Sequence, residues 1–192
     1  FVKYIFTFVI FISFTFKVFS NDLNYNILIA DPKMLDSRFQ ESVILLFYHN
    51  KFGASGLVIN KEENKITIKE LFDSAKLSLP DGFVDNQLNI FWGGPINSHH
   101  LFFIHSKDYI SKNSIILNEN FIVTRSSTVL YDIAINKGPK DFIIVKGFSI
   151  WSPGQLDEEL KKGSWEKKTN NYFRIFDNDK NMWQTLINLQ KA

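Results

Sequence analysis

Histidine is the side chain best suited to acid–base and zinc chemistry near neutral pH, and this chain has four. His99, His100 and His105 lie close together, and His49 stands apart. Three imidazoles suffice to hold zinc. The spacing places no carboxylate among them, however, and neighbouring residues of a strand point to opposite faces. Neither a metal nor a cofactor is expected. His105-Ser106 has the residue types of a hydrolase pair, but adjacent residues diverge and no G-x-S-x-G elbow accompanies them. His105 is the one candidate catalytic residue; its plainer reading is a satisfied structural or surface histidine.

Ligand or partner binding has other candidates. Gly93-Gly94-Pro95 lacks the G-x-G-x-x-G spacing and the helix start that a pyrophosphate needs. It reads first as a turn requiring glycine backbone angles, and second as a ligand-facing loop. Asn60 ends a strand before charged residues, where it caps a turn or lines a cleft. Trp151 and Gln155 flank a helix start whose amide donors would form an anion site. Trp151 either stacks on a ligand or, with Trp165, clamps that helix to the sheet. Asp157, Glu158 and Glu159 read as its solvated face. The binding candidates are therefore Asn60, Gly93, Gly94, Trp151 and Gln155.

Composition narrows the partners. Within residues 1–20, Lys3 and Lys17 are the only charges, so 20 of the 22 basic residues remain against 20 acidic ones. Phosphate contacts dominate duplex affinity, and arginine reads guanine; Arg38, Arg125 and Arg174 are the only arginines. Direct nucleic-acid binding is disfavoured, and a protein partner or a small molecule is expected. The absence of cysteine excludes disulfides and thiolate catalysis.

Residues 1–20 stand apart as a hydrophobic extension. Tyr4 to Phe16 carries no charge. That run is shorter than the roughly 20 residues of a bilayer span and resembles the hydrophobic region of a signal peptide. Three readings follow: a signal or anchor, an extension from an upstream start, or a core strand. Membrane contact would run through this segment.

Residues 21–192 read as one domain of strands with peripheral helices. Strands are predicted at Asn26–Ala30, Val43–Tyr48, Ser55–Asn60, Leu88–Trp92, Leu101–His105, Phe121–Thr124 (a short or edge strand), Asp141–Lys146 and Tyr172–Phe176. Thr67 and Glu70 form a capping box for a helix to Lys76, with Ile68, Leu71, Phe72 and Ala75 on its apolar stripe. A second helix starts at Ser127 or Thr128 and buries Val129, Leu130, Ile133 and Ala134. Ser152 caps a third, with Pro153 at its first position. The fourth spans Asp179–Gln190, with Met182, Trp183, Leu186 and Ile187 inward.

In order and spacing, several blocks resemble the AlgH/YqgE family of bacterial proteins. They are N-I-L-I-A-D-P from Asn26, G-A-S-G-L-V-I-N from Gly53, G-G-P-I from Gly93, F-F-I-H-S from Phe102 and G-F-S-I-W-S-P-G-Q-L-D-E-E-L from Gly147. The resemblance covers about Tyr25 to Leu189. Asp31 stands where the family usually has Met, and Ile150 where small residues are usual; Ile150 would narrow any cleft there. The resemblance implies a single compact α+β domain with a bulged mixed β-sheet and peripheral helices. It implies a cytoplasmic protein, whereas the extension implies export or anchoring. One branch is named for transcriptional regulation, so a regulatory or binding role is expected. The alternatives are a hydrolase-type enzyme near His105 and a regulator contacting DNA. No catalytic mechanism comes with the family.

Overall fold

A computed structural model describes residues 26–112, 114–117, 121–169, 175–177 and 179–189. The extension 1–20 lies outside them. The order is β1 (Asn26–Ala30), β2 (Val43–Asn50), β3 (Gly53–Val58), β4 (Glu62–Thr67), α1 (Ile68–Ala75), β5 (Gln87–Trp92), β6 (Ile96–Ser106), β7 (Ile115–Ile116), β8 (Phe121–Thr124), α2 (Ser127–Ala134), β9 (Phe142–Trp151), α3 (Gln155–Lys161), β10 (Trp165–Thr169), a 3₁₀ turn (Ile175–Asp177) and α4 (Met182–Asn188).

Among the described residues ten strands form one sheet in the order β10-β1-β2-β3-β9-β6-β8-β7, with the antiparallel β4–β5 pair attached through β5 to β9. All pairs are antiparallel except β5 with β9, so the sheet is mixed. Register shifts bulge it between Leu46 and Tyr48, Glu62 and Asn64, and Ile96 and Leu101.

The near-continuous apolar runs of the central strands follow from burial on both faces. Ile27, Ile29, Val43, Leu45 and Leu57 point to one side, where Met182, Leu186 and Ile187 of α4 cover them together with Phe102, Ile104 and Val145. Leu28, Ala30, Ile44, Leu46 and Val58 point to the other, under Trp151, Leu156 and Trp165. Farther along that side, α1 and α2 cover Leu88, Ile90, Phe103 and Ile144. Alternation along each strand supplies both cores at once.

β9 is the hub. Val145 pairs with Phe91 of β5 on one side and with Phe102 of β6 on the other. β5 and β6 are consecutive, so residues 93–95 must cross over β9. They do so backbone to backbone. A Cβ on Gly93 would collide with the Gly147 carbonyl and Val145, and one on Gly94 with the Phe148 carbonyl. Gly94 also has φ +148°, and Gly147 beneath it φ +74°. Glycine alone tolerates this approach and these angles.

The capping box at Thr67 and Glu70 forms as expected, but Ala75 is exposed because α1 ends one turn after Phe72. β4 was not foreseen; E-E-N-K-I-T has no apolar alternation because it is an exposed edge guarded by charge. β8 is not an edge, since β7 pairs with its outer side. A late strand lies at Trp165–Thr169; of the expected Tyr172–Phe176, residues 172–174 lie outside the described chain, and Ile175 and Phe176 belong to a 3₁₀ turn. α3 begins at Gln155, not Ser152, because Gly154 adopts φ +77° and breaks the run. Among the described residues no helix is long and apolar enough to cross a membrane.

The crossing can be tested against a glycine that has only backbone strain. Gly82 has φ +72° but open space where a Cβ would stand. Gly82→Ala should cost about 1 kcal/mol, the left-handed penalty alone. Gly94→Ala should cost more than about 3 kcal/mol, because the strain and the collision act together. Urea unfolding of both variants measures the difference; equal losses would refute the account of the crossing.

Candidate functional site

Three distant blocks of sequence meet at one cleft of about 890 Å³. The loop after β1 brings Asp31, Lys33, Met34, Leu35, Asp36, Arg38 and Phe39. The end of the crossing brings Pro95 and Ile96. The last residues of β9 with α3 and its exit bring Ser149 to Trp151, Gln155, Glu159, Lys162 and Trp165.

The floor is aromatic. Trp151 and Trp165 meet edge to face with centroids 6.2 Å apart, Phe39 lies 5.8 Å from Trp165, and Phe39 lies 5.5 Å from Trp92. One carboxylate orders this floor. Glu159 Oε2 accepts both indole N–H groups, at 2.9 Å from Trp151 and 2.8 Å from Trp165. Its Oε1 accepts the Gln155 amide at 2.9 Å. Gln155 Oε1 in turn accepts the Ser152 backbone N–H at 3.0 Å. α3 is thereby fastened to the sheet through two tryptophans. Gly163, with φ +73°, turns the chain out of α3; the Ser164 N–H reaches back to the Glu159 carbonyl, and the Asp31 N–H bonds the Ser164 carbonyl.

The rim is charged and partly apolar. Leu35 is 96% exposed and Ile150 is 56% exposed. Arg38 binds Asp36 at 2.7 Å, and this guanidinium holds the Asp36 carboxyl below its ordinary value.

The five expected binding residues do not form one site. Trp151 and Gln155 line the cleft, but Trp151 is buried and Gln155 uses its amide to hold Ser152 and Glu159. At the anticipated anion site, the start of α3, the Ser152 and Gln155 N–H groups are bonded and Pro153 has none. Gly93 and Gly94 support the cleft from behind, as the crossing. Asn60 lies elsewhere, beside a smaller depression of about 350 Å³ with Glu41 and Lys180. Its carbonyl accepts the Val43 N–H at 2.8 Å and its amide donates to the Glu41 carbonyl at 2.8 Å. Asn60 thus pins Glu41 in a left-handed turn of φ 56°.

Glu159, Phe39, Leu35 and Ile96 were missed as site residues. The solvated-face reading is wrong for Glu159, which is half-buried. A signal existed: a buried indole N–H requires an acceptor, and three carboxylates lie between the two tryptophans.

His105 is wholly buried on β6, between β8 and β9, so the surface reading is excluded. Nδ1 lies 2.8 Å from the Ser106 carbonyl. A carbonyl only accepts, so Nδ1 carries the proton. Nε2 is then a bare acceptor, and it is buried without a partner among the described residues. Burial holds the imidazole below its ordinary pKa, against the upward pull of the Ser106 carbonyl and Asp108. Tyr109 stands edge-on to the ring and donates to Asp132. The Ser106 hydroxyl bonds Asp108, not the imidazole. Among the described residues no group of three or more His, Asp or Glu is arranged to hold a metal ion.

Two outcomes follow. Glu159→Ala strands two buried indole donors and should lower stability by about 2–5 kcal/mol, read by urea unfolding with tryptophan fluorescence. A loss under about 1 kcal/mol would show that the indoles find other acceptors. For His105, the native state takes up its proton at lower pH than the unfolded chain. Its stabilisation is therefore full above an unfolded pKa near 6.5 and is lost as pH falls below it. Stability should fall between about pH 7 and 5, by up to about 1.4 kcal/mol per pH unit, and the His105→Phe curve should be flatter there. Parallel curves would refute this role.

The comparisons with known proteins agree with this architecture. An AlgH-like family model (DUF179) matches residues 27–192. A UPF0301 protein of Hydrogenovibrio crunogenus is 33% identical over 172 residues, covering 88% of this chain and 89% of the relative. A UPF0301 protein of Rickettsia akari is 33% identical over 174 residues, covering 89% of each. The solution structure of the AlgH protein from Pseudomonas aeruginosa superposes with a TM-score of 0.72 at 28% identity, covering 92% of this chain and 93% of that one. A crystal structure from Corynebacterium diphtheriae shares the fold, with a TM-score of 0.64 at 18% identity over 86% and 85% of the two chains. With its fold, its blocks and these relatives in agreement, the chain belongs to the AlgH-like family.

Proposed function

We propose that this protein is a binding domain, regulatory in effect, that receives a protein segment or a small molecule in the cleft between the 31–39 loop, Pro95–Ile96 and α3. The observation that carries the reading is the convergence there of three remote sequence blocks over an ordered aromatic floor. Ligand sites are concave, largely apolar and preformed, with a few placed polar groups. Leu35 and Ile150 leave apolar surface at the mouth that a partner would cover. Binding is favoured over hydrolysis because the His105 imidazole is sealed in the core and the Ser106 hydroxyl is engaged with Asp108. Direct DNA reading is disfavoured by the charge balance outside residues 1–20. The family resemblance supports a cytoplasmic setting.

The test uses Ile150, which is exposed and can change without disturbing the core. Native mass spectrometry of protein purified gently from its own host should show a companion at one-to-one stoichiometry. Ile150→Asp should reduce that companion at least about tenfold, equivalent to about 1.4 kcal/mol, with an unchanged thermal midpoint. Lys180→Glu, at the other depression, should retain it. The reverse pattern would overturn the assignment of the cleft.

A further inference from the structure

Among the described residues, the last residues of β9 have a strand on one side only. Ser149, Ile150 and Trp151 pair with Gly56, Ser55 and Ala54 of β3. On the opposite side β6 pairs with β9 as far as Ile96 opposite Phe148, and there the chain turns away at Pro95 into the crossing. Beyond that point the lane beside β9 holds no described strand.

The Trp151 carbonyl faces β3, since a Cβ on Gly53 would collide with it. Successive residues of a strand turn their N–H and C=O to alternate sides. The Ile150 N–H and C=O therefore face the vacant lane, and no hydrogen bond from a described residue reaches them. An open edge of this kind is the chemistry that recognises the main chain of an extended peptide.

Two other edges are guarded by charge, whereas β7, at the far end of the sheet, is only Ile115–Ile116. β4 carries Glu62, Glu63 and Lys65, and β10 carries Glu166, Lys167 and Lys168. Such charges on an edge discourage strand addition. At the β9 edge the residue is an exposed isoleucine, in a cleft with an aromatic floor. The rim also sorts occupants by charge. Its acids already hold donors: Asp31 takes the Lys33 backbone N–H, Asp36 takes Arg38, and Glu159 takes two indoles and Gln155. The ammonium groups of Lys33 and Lys162 are exposed and meet no carboxylate among the described residues. A carboxylate on the occupant would complete them.

We propose that an extended peptide segment of a partner protein, bearing at least one acidic side chain, adds to the open edge of β9 at Ile150 in the lane that β6 leaves at Pro95. This rests on the binding reading of the cleft and names the class of partner.

The probe is a fluorescein-labelled peptide of about nine residues alternating glutamate and valine, long enough to span the cleft as a strand. It is titrated into the whole 192-residue chain and followed by polarisation and by amide NMR. Saturable binding is expected, with shifts at Ile150, Lys33 and Lys162 and slowed hydrogen exchange of the Ile150 amide. The Lys33→Glu, Lys162→Glu double variant should weaken binding at least about tenfold. Because both lysines are exposed, the fold should persist. N-methylating alternate peptide residues should weaken it about tenfold in one of the two phases, since only one set of amides faces β9. Equal binding of a lysine–valine peptide, indifference to N-methylation in both phases, or no binding at about 1 mM would each overturn the proposal. A small-molecule fragment mixture is screened by the same spectra. Fragments that shift the cleft while the peptide does not would remove the peptide and keep the binding site. Silence from both would remove the site as well.

Discussion

The passage of Gly93 and Gly94 over β9 is the constraint from which the rest of the molecule is arranged. Two consecutive strands, β5 and β6, flank the same third strand. The chain can manage this only by laying backbone on backbone, at a point where three glycines leave no side chain between them. The bulge between Ile96 and Leu101 absorbs the change of direction that follows. Once β6 has been brought to the far side, β9 is free to meet β3 beyond the crossing, so two half-sheets become one. The cleft lies at this seam. Its upper wall is the end of the crossing, and its opening is where β6 no longer accompanies β9.

A second interaction gives the cleft its shape. Trp151 closes β9 and Trp165 opens β10, so the indoles come from strands far apart in the sheet order. A single carboxylate oxygen receives both. Bonds to an ionised acceptor are roughly twice as strong as neutral ones, and these lie against a core that excludes water. Gln155 holds the other oxygen, which leaves Glu159 little rotational freedom. The floor is therefore positioned before any occupant arrives, and Leu35, Lys33, Ile150 and Lys162 are exposed at the rim.

Much of the fold was legible because the sequence repeats one signal at several levels. Continuous apolar runs at Asn26, Val43, Leu101 and Phe142 marked strands buried on both faces. Thr67 with Glu70 marked a helix start, and Val129, Leu130, Ile133 and Ala134 marked a buried helix face. Edge strands escaped, because β4 and β10 carry charges that look like loop and do not alternate as a half-buried strand does. The cleft was only half legible. Trp151 stood out by type, but Glu159 looked like any acid on an exposed helix, and its role depends on a tryptophan delivered by a different strand. Asn60, Gly93 and Gly94 stood out for a different reason: they hold strained backbone, which gives a sequence signal as sharp as that of a ligand-binding residue. The burial of His105 was not legible, because it depends on the two strands that flank β6 and not on its neighbours in sequence.

The position of β9 in the chain has a consequence for how the protein is made. The strand that joins β3, β5 and β6 begins only at Phe142. During synthesis these strands leave the ribosome well before their common partner. Non-local pairing of this kind is slow, and unpaired edges of apolar strands invite association with other chains. The nascent protein must therefore carry Val43–Val58 and Leu88–Ile104 as unfinished sheet until the last quarter of the chain emerges.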